Sequence, residues 1–146
     1  MEPKHLRFRL DIVPTAQARV RHTVRNGFSV AYKDKKQQAN ERTLEALLKD
    51  HKPKTPMSGP LVLEFVAAMP VPKSDSKRLR EAKLCGYEMP TKKPDLDNAA
   101  KNLLDACTRL QFWHDDCQVV CLRCEKIYAE HGYWEVSVYE AVRRIQ

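Results

Sequence analysis

The stretch that decides the fold is KKPDLDNAAKNLLDACTRLQFWHDDCQVV, residues 92–120. Two acidic pairs flank one helical pattern there: Asp95 and Asp97 lie at its start, and Asp115 and Asp116 follow it. Two carboxylates about 4 Å apart repel each other by ~4 kcal/mol at an effective dielectric constant of ~20. If the fold brings the two pairs together, a divalent cation is the expected compensation.

Outside this stretch the chain is basic. Its formal net charge is +7 over 146 residues. Residues 1–93 hold 20 basic and 10 acidic side chains, a net +10, whereas residues 94–146 hold 6 basic and 9 acidic ones, a net −3. A basic body around an acidic focus fits a polyanionic partner such as nucleic acid. Charge alone is equally consistent with a soluble protein that has a high pI and no such partner.

Length and composition predict one soluble domain over residues 1–146. The chain contains no apolar run long enough for a transmembrane helix, and its N-terminal MEPKHLRFRL lacks the apolar centre of a secretory signal. The sequence therefore predicts a cytoplasmic protein in which the five cysteines are reduced thiols.

The patterns before the acidic stretch predict strands and a helix. HLRFRLDIV (5–13) alternates apolar and polar residues, as a half-buried strand does. Residues 20–32 hold Asn26-Gly27 between two alternating segments, which is the strongest short signal for a β-hairpin. Helix formers extend from Asp34 to about His51, and the apolar run at 61–69 predicts a central strand.

The second half predicts helices followed by two strands. Residues 73–93, with seven basic and three acidic side chains, predict a short helix near 75–84 and a loop. That loop is either a solvated connection or a mobile contact to a phosphate backbone. A helix is predicted over 95–108, and strands over 117–128 and 133–140. The order predicts an α+β domain with a mixed or mostly antiparallel sheet and packed helices.

The acidic residues lie at element boundaries, where two neighbouring carboxylates can converge. Inside a helix, residues two apart diverge by about 200°, whereas Asp95 and Asp97 straddle the helix start. Such hard oxygen ligands suit Mg²⁺ or Mn²⁺, and two ions ~3.5–4 Å apart promote phosphodiester hydrolysis. Lys101 follows Asp97 by one turn and can balance charge on the same face.

Each of these residues also has a purely structural explanation. Asp95 can be a helix cap, and Lys101 is correctly spaced to pair with Asp97 or Asp105. Asp115-Asp116 can be a turn. Residue-level reasoning therefore leaves metal binding and structural roles open.

Other metal sites fit less well. An EF-hand loop starting at Asp95 would need Gly and Glu where Ala100 and Ala106 stand. The Pro-Asp…Asp/Glu-x-Lys nuclease pattern is incomplete, because no Asp/Glu-x-Lys follows the single Pro-Asp. The cysteines within 117–124 fall in a predicted strand that points them to opposite sides, so buried, inert thiols are expected instead of a metal–thiolate site.

The blocks KPDLDNAAKNLLDA and WHDDCQVV resemble the core of the RusA family of Holliday junction resolvases. That core reads roughly Lys/Arg-x-Asp-hydrophobic-Asp-Asn-x-x-Lys-x-x-x-Asp-Ala, followed by Asp-Asp-Ala-Gln-Val. The close match covers about 30 residues and extends loosely over most of the chain. Cys117 stands in place of the usual Ala, Ala99 in place of a larger apolar residue, and Val20 in place of the Pro of an Arg-Pro-Arg stretch.

The resemblance implies a homodimeric, Mg²⁺-dependent endonuclease that cuts four-way DNA junctions symmetrically and leaves 5′-phosphate and 3′-hydroxyl ends. The family's essential carboxylates correspond to Asp95, Asp97 and Asp116, and its essential lysine to Lys101. Asp115 is a further candidate metal ligand that tunes the site.

Contacts to DNA are expected from the N-terminal basic stretch, from the 73–93 segment and from a lysine after the Asp-Asp pair. These candidates are Arg19, Arg21, Lys73, Lys92, Lys93 and Lys126. Phe112 and Trp113 are expected in the core or a dimer interface, with stacking on an opened base as the alternative. Two other functions stay open: a non-catalytic basic DNA-binding protein, and a metal-dependent nuclease acting on forks or flaps.

Overall fold

The computed structural model describes residues 5–16, 21–32 and 35–142. Its element order confirms the predicted one. The elements are β1 (His5–Leu10), β2 (Arg21–Arg25), β3 (Phe28–Tyr32), α1 (Lys35–Lys49), β4 (Leu61–Pro70), α2 (Lys77–Leu84), α3 (Leu96–Arg109), a 3₁₀ turn (Asp116–Gln118), β5 (Val119–Ala129) and β6 (Tyr133–Glu140). The chain is thus an α+β domain, as the sequence predicted.

Four strands form a mixed sheet in the order β1-β6-β4-β5. β6 pairs antiparallel with both β1 and β4, whereas β5 runs parallel to β4 at the edge. A parallel neighbour needs a long crossover. The chain between β4 and β5 supplies it with α2, α3 and the 3₁₀ turn, which carry all four acidic candidates.

The core lies on one face of this sheet, under α1 and α3. Alternate residues of β4 and β6 point to it, including Leu63, Phe65 and Trp134. α3 contributes Leu103 and Cys107, both fully buried. Burying one large apolar side chain contributes about 1.5–3 kcal/mol, so this face holds α3 firmly on the sheet.

α3 begins and ends where local chemistry dictates. Asp95 has extended backbone angles at the N-cap position, and the helix begins at Leu96, one residue later than predicted. At the other end Gln111 has a φ of 62°, the left-handed conformation that commonly ends a helix. Arg109 Nε donates to Glu45 Oε1 over 2.7 Å and ties α3 to α1.

The 73–93 segment forms the predicted helix and is held against β5. Ser76 caps α2 by accepting a hydrogen bond from the Leu79 amide at 3.2 Å. Lys83 pairs with Asp75 at 2.6 Å and lies 4.9 Å from the centre of the Tyr128 ring of β5. The exposed basic side chains of this segment therefore project from an anchored helix and loop.

The structure bears on two predictions about side chains. Phe112 and Trp113 are fully buried, and Trp113 Nε1 donates to Thr108 Oγ1. This confirms that they belong to the core, and they are not placed to stack on a base. The prediction that the cysteines within 117–124 are buried is wrong for Cys117, whose side chain is exposed, whereas Cys121 and Cys124 are half-buried. The reason is that the strand begins only at Val119, so Cys117 lies in the 3₁₀ turn before it.

None of the helices within the described ranges combines the length and the apolar character needed to cross a membrane.

Candidate active site

The first acidic pair stands at the start of α3. Asp95 occupies the N-cap position, yet its side chain makes no capping hydrogen bond to the helix backbone. Its Oδ2 instead accepts a 3.3 Å bond from Asn98 Nδ2. Both Asp95 and Asp97 are exposed. The capping explanation therefore does not account for Asp95, whose oxygens remain accessible to a ligand.

Asp97, Lys101 and Asp105 follow one another at four-residue intervals and so share one stripe of α3. Asp97 lies in the first turn, where the helix dipole favours a negative charge. Within the described part of the chain, Lys101 forms no ion pair shorter than 4 Å. The ion-pair explanation for Lys101 is thus not supported, and its ammonium group projects to the surface.

The second acidic pair lies on the 3₁₀ turn before β5. Asp115 caps this turn: its Oδ1 accepts a 3.0 Å bond from the Cys117 amide. Asp116 opens the turn with an exposed side chain. The structural explanation therefore holds for Asp115, whereas Asp116 has no capping task.

Gln118 fixes this turn to the loop that precedes β4. Its Oε1 accepts from the amides of His114 and Asp115, at 2.9 and 3.1 Å. Its Nε2 donates to the carbonyl oxygens of Met57 and Gly59, at 3.1 and 3.0 Å. A half-buried carboxamide with all four bonds made holds a turn in one arrangement. Gln118 is therefore a positioning residue for the acidic turn.

The two carboxyl groups of the turn are electrostatically coupled. The amide of Cys117 holds the pKa of Asp115 below its usual value. Desolvation and the adjoining Asp115 raise the pKa of Asp116, Asp105 adds to this, and Lys101 opposes it. The turn lies against α3 in the structure, which accounts for the electrostatic influence of Lys101 and Asp105 on Asp116.

The structure brings the two acidic regions close together, but their side chains do not form a complete set of metal ligands. No three His, Cys, Asp or Glu side chains of the described ranges come close enough together to hold a metal ion. Mg²⁺ typically binds through one or two carboxylates, with waters and substrate phosphates completing its octahedron. The hard, exposed carboxylates of Asp95, Asp97 and Asp116 fit a site of that kind, with Asp115 beside Asp116 as a tuning charge.

Lys126 holds the segment that leads into the first acidic pair. From β5, its Nζ donates to the carbonyl oxygens of Lys92 and Pro94, both at 3.0 Å. Asp95 follows Pro94 directly. Two of the three N–H groups of Lys126 are therefore used inside the protein, which makes it a positioning residue for Asp95. Its predicted contact with DNA stays a prediction.

The other predicted DNA contacts are distributed around the chain. Lys73, Lys92 and Lys93 are exposed, the last two immediately before Pro94 and Asp95. Arg21 begins β2, but its side chain is outside the described part. Arg19 lies outside the described residues altogether.

An open trough of about 770 Å³ lies on the sheet face opposite the helices. Four of its charged groups form two ion pairs: Arg123 pairs with Glu64 at 2.8 Å, and Arg7 pairs with Glu135 at 2.9 Å. Hydrogen bonds from Tyr139 and Arg123 lower the pKa of Glu64. Both arginines of the trough are thus engaged by carboxylates, and the acidic region remains the candidate site.

Sequence reasoning did not single out Gln118, and it gave Lys126 a different role. A signal for Gln118 was available, since Asp115-x-x-Gln118 has the spacing of a capping box, which the structure forms. No local signal existed for Lys126, because its partners lie 34 and 32 residues earlier in the chain.

Comparisons with known proteins relate the chain to one family. The family model described as "Endodeoxyribonuclease RusA" matches residues 11–139, which include both acidic pairs. A Bacillus subtilis (strain 168) protein named "Uncharacterized protein YqaN" is 35% identical over 129 residues, covering 87% of this chain and 90% of that protein. "Crossover junction endodeoxyribonuclease rusA" of Lactococcus phage r1t is 39% identical over 54 residues, covering 37% of this chain and 41% of that protein.

Replacing Gln118 by Glu should loosen the acidic turn. The substitution keeps an acceptor oxygen for the His114 amide but turns two donors into lone pairs facing the carbonyls of Met57 and Gly59. A buried group left unsatisfied costs about 1–3 kcal/mol, so we expect the free energy of unfolding to fall by about 2 kcal/mol or more. Denaturant unfolding measures this. Gln111→Glu is the control, at an exposed glutamine whose Nε2 makes one 3.2 Å bond to the Thr108 carbonyl oxygen, and it should lose less stability. An equal loss in both variants would contradict the positioning role.

Replacing Lys126 by Met should free the backbone before Asp95. The stem of the side chain is kept, whereas both bonds to the carbonyls of Lys92 and Pro94 are lost. Bonds to charged groups contribute about 1.5–3 kcal/mol, so hydrogen exchange over residues 91–96 should accelerate by about tenfold or more. Mass spectrometry of peptic peptides measures it. Lys92→Met is the control. Unchanged exchange in the Lys126 variant would contradict its positioning role and leave a DNA contact as its predicted role.

Proposed function

Because the chain belongs to the RusA family of endodeoxyribonucleases, we propose that it resolves four-way DNA junctions by paired, symmetric phosphodiester hydrolysis. The enzyme acts as a homodimer with Mg²⁺, or Mn²⁺ in its place, on intermediates of DNA recombination and repair. The observation that carries the proposal is that the turn bearing Asp116 lies against α3, the helix that carries Asp97 and Lys101.

Asp95, Asp97 and Asp116 are the residues that would hold the metal. When bound, the metal supplies Lewis acidity toward water and the phosphate oxygens. Lys126 and Gln118 fix the two chain segments that carry these carboxylates, since they bind the backbone of Pro94 and of Asp115. Carboxylates whose backbone is fixed in this way would lose little conformational freedom when they bind a metal, and they would keep their orientation toward it.

In the reaction, water attacks the phosphorus in line and the bond from phosphorus to O3′ breaks. The 3′ oxygen leaves as a hydroxyl after gaining a proton, and the phosphate remains on the 5′ end. Negative charge grows on the non-bridging oxygens in the transition state. The exposed ammonium group of Lys101 is suited to offset that charge, because no described side chain pairs with it.

Two copies of the site in a dimer would account for paired incisions. A four-way junction is nearly two-fold symmetric, and a two-fold dimer presents identical sites to strands of the same polarity. The basic residues concentrated in 1–93 supply the phosphate affinity that such a substrate requires.

Asp97→Asn should abolish cleavage and leave junction binding equal or tighter. The substitution removes a negative charge from the site with almost no change in volume, so metal binding is lost while phosphate repulsion falls. The measurement is cleavage of a synthetic mobile four-way junction with Mg²⁺, beside EDTA and a linear duplex. Asp50→Asn, an exposed aspartate at the end of α1, is the matched control.

The outcomes separate the open functions. Paired symmetric nicks that need metal and wild-type protein support resolution, whereas cutting confined to forks or flaps supports the alternative nuclease. Junction binding without cutting under both Mg²⁺ and Mn²⁺ would support a non-catalytic DNA-binding protein. An unfolded Asp97→Asn variant, detected by circular dichroism, would contradict the assignment of Asp97 as a ligand.

Lys101→Ala should lower the turnover rate by about 100-fold or more, with junction affinity changed less than threefold. Loss of one group that stabilises transition-state charge typically costs 10²–10³ in rate. Single-turnover cleavage with saturating enzyme isolates this step from binding. Lys54→Ala, at an exposed lysine outside the site, is the control, and near-normal cleavage by Lys101→Ala would reduce Lys101 to a surface residue.

A further inference from the structure

The β2–β3 hairpin stands apart from the main sheet. Its two strands pair only with each other in the described sheet topology. From His22 to Tyr32, every residue except the half-buried Thr23 is exposed. A single two-stranded hairpin is marginally stable in water. A binding partner that covers it would therefore stabilise its conformation.

The turn gives this hairpin a defined register. Asn26 and Gly27 have φ values of 50° and 80°, the left-handed pair that a two-residue type I′ turn requires. Residues paired across the strands then point to the same face: Arg25 lies opposite Phe28, and Thr23 lies opposite Val30. Register thus sets a cation directly beside an aromatic ring.

The exposed aromatic residues of that face are unusually accessible. Phe28 is 75% exposed and Tyr32 is 45% exposed. Both occur at alternate positions with Val30 between them, so all three share the face of Arg25. The opposite face carries Val24 and Ser29. One side of the hairpin is therefore an aromatic and cationic strip.

Charge favours a polyanion as the occupant. Residues 12–33 contain four basic and no acidic residues. A second copy of the chain placed on the same face by a two-fold axis would bring two such basic segments together, which like charges oppose. A nucleic acid instead offers phosphates to Arg25 and base faces to the aromatic rings.

The hairpin is also connected to the helix that carries the acidic stripe. Before it, Thr15 is held by Asn102, a buried residue of α3 whose Nδ2 donates to the Thr15 carbonyl oxygen at 3.0 Å. Asn102 follows Lys101 directly. Thr15, which precedes β2 in the chain, is thus fixed on the helix that carries Lys101.

We infer that the β2–β3 hairpin is a ribbon that recognises branched DNA, with Arg25 on a backbone phosphate and Phe28 and Tyr32 stacked on bases exposed at the branch point. The inference rests on the proposed function for its choice of branched DNA as substrate. In a linear duplex every base face is covered by its neighbours, so stacking on the hairpin favours a branch point. The phosphate contact of Arg25 acts on both substrates alike.

The test is equilibrium binding in EDTA, where cleavage does not interfere, of full-length variants to a four-way junction and to a duplex of the same sequence. Phe28→Ala should weaken junction binding about tenfold and change duplex binding less than twofold. Phe28→Trp should restore junction binding, because indole keeps the stacking face. Arg25→Ala should weaken both equally and lower the salt dependence of log K by about one unit.

Val24→Ala, on the other face of the same hairpin, is the matched control and should behave as the wild type. Equal losses on junction and duplex for Phe28→Ala would overturn base stacking. Sedimentation of the same variants tests a second copy as the occupant: a shift of Phe28→Ala toward monomer with unchanged junction affinity per dimer would overturn the inference.

This experiment separates the inference from the proposed function. Wild-type protein that discriminates junction from duplex in EDTA through Phe28, but never cuts with metal, would support the hairpin assignment and contradict the nuclease proposal. If the wild type cuts junctions while Phe28→Ala still discriminates fully between junction and duplex, the nuclease proposal is supported and the hairpin assignment is contradicted. Failure of the wild type to bind either DNA would overturn the hairpin assignment as well.

Discussion

The candidate site depends on one carboxamide. Gln118 makes four hydrogen bonds to backbone groups of the 57–59 loop and of the turn that carries Asp115 and Asp116. Carboxylates that face one another repel, so an unsupported turn would relax away from α3. A carboxamide is well suited to oppose this, because it donates and accepts without adding charge. The position of Asp116 against Lys101 and Asp105 is thus determined by a neutral residue outside the acidic set.

β5 organises both halves of the site. Gln118 immediately precedes this strand, and Lys126 lies within it and binds the backbone in front of Asp95. Because β5 runs parallel to the buried strand β4, the two supports are held about eight residues apart on a rigid element. The acidic residues themselves lie on a helix start and a turn, where carboxylates are locally favoured. The residues at β5 therefore fix the positions of the two acidic segments, whereas the helix start and the turn carry the carboxylates.

The sequence was sufficient for what is local. Asn26-Gly27 predicted the hairpin and its turn, and the apolar stripe of Leu103 and Cys107 predicted α3 to within one residue. The proximity of the two acidic pairs was hypothesised from their boundary positions. What could not be predicted are contacts between segments distant in the chain: Gln118 to Met57 spans 61 residues. Periodicity reports which face of an element is buried, but not which backbone carbonyl a polar side chain will reach.

The hairpin and the acidic site differ in how firmly the protein holds them. Around Asp116, the backbone of the turn is fixed by the four hydrogen bonds of Gln118, so the proposed metal ligands would already be in place. In the hairpin, Phe28 and Arg25 lie exposed on a marginally stable ribbon, which is unfavourable for the isolated protein and useful only if a partner covers it. Branched DNA varies in conformation, so an adaptable element is better suited to recognise it than a rigid one. The hydrogen bond between Thr15 and Asn102 links the two, because it fixes the chain before the hairpin on α3, the helix that carries Asp97 and Lys101.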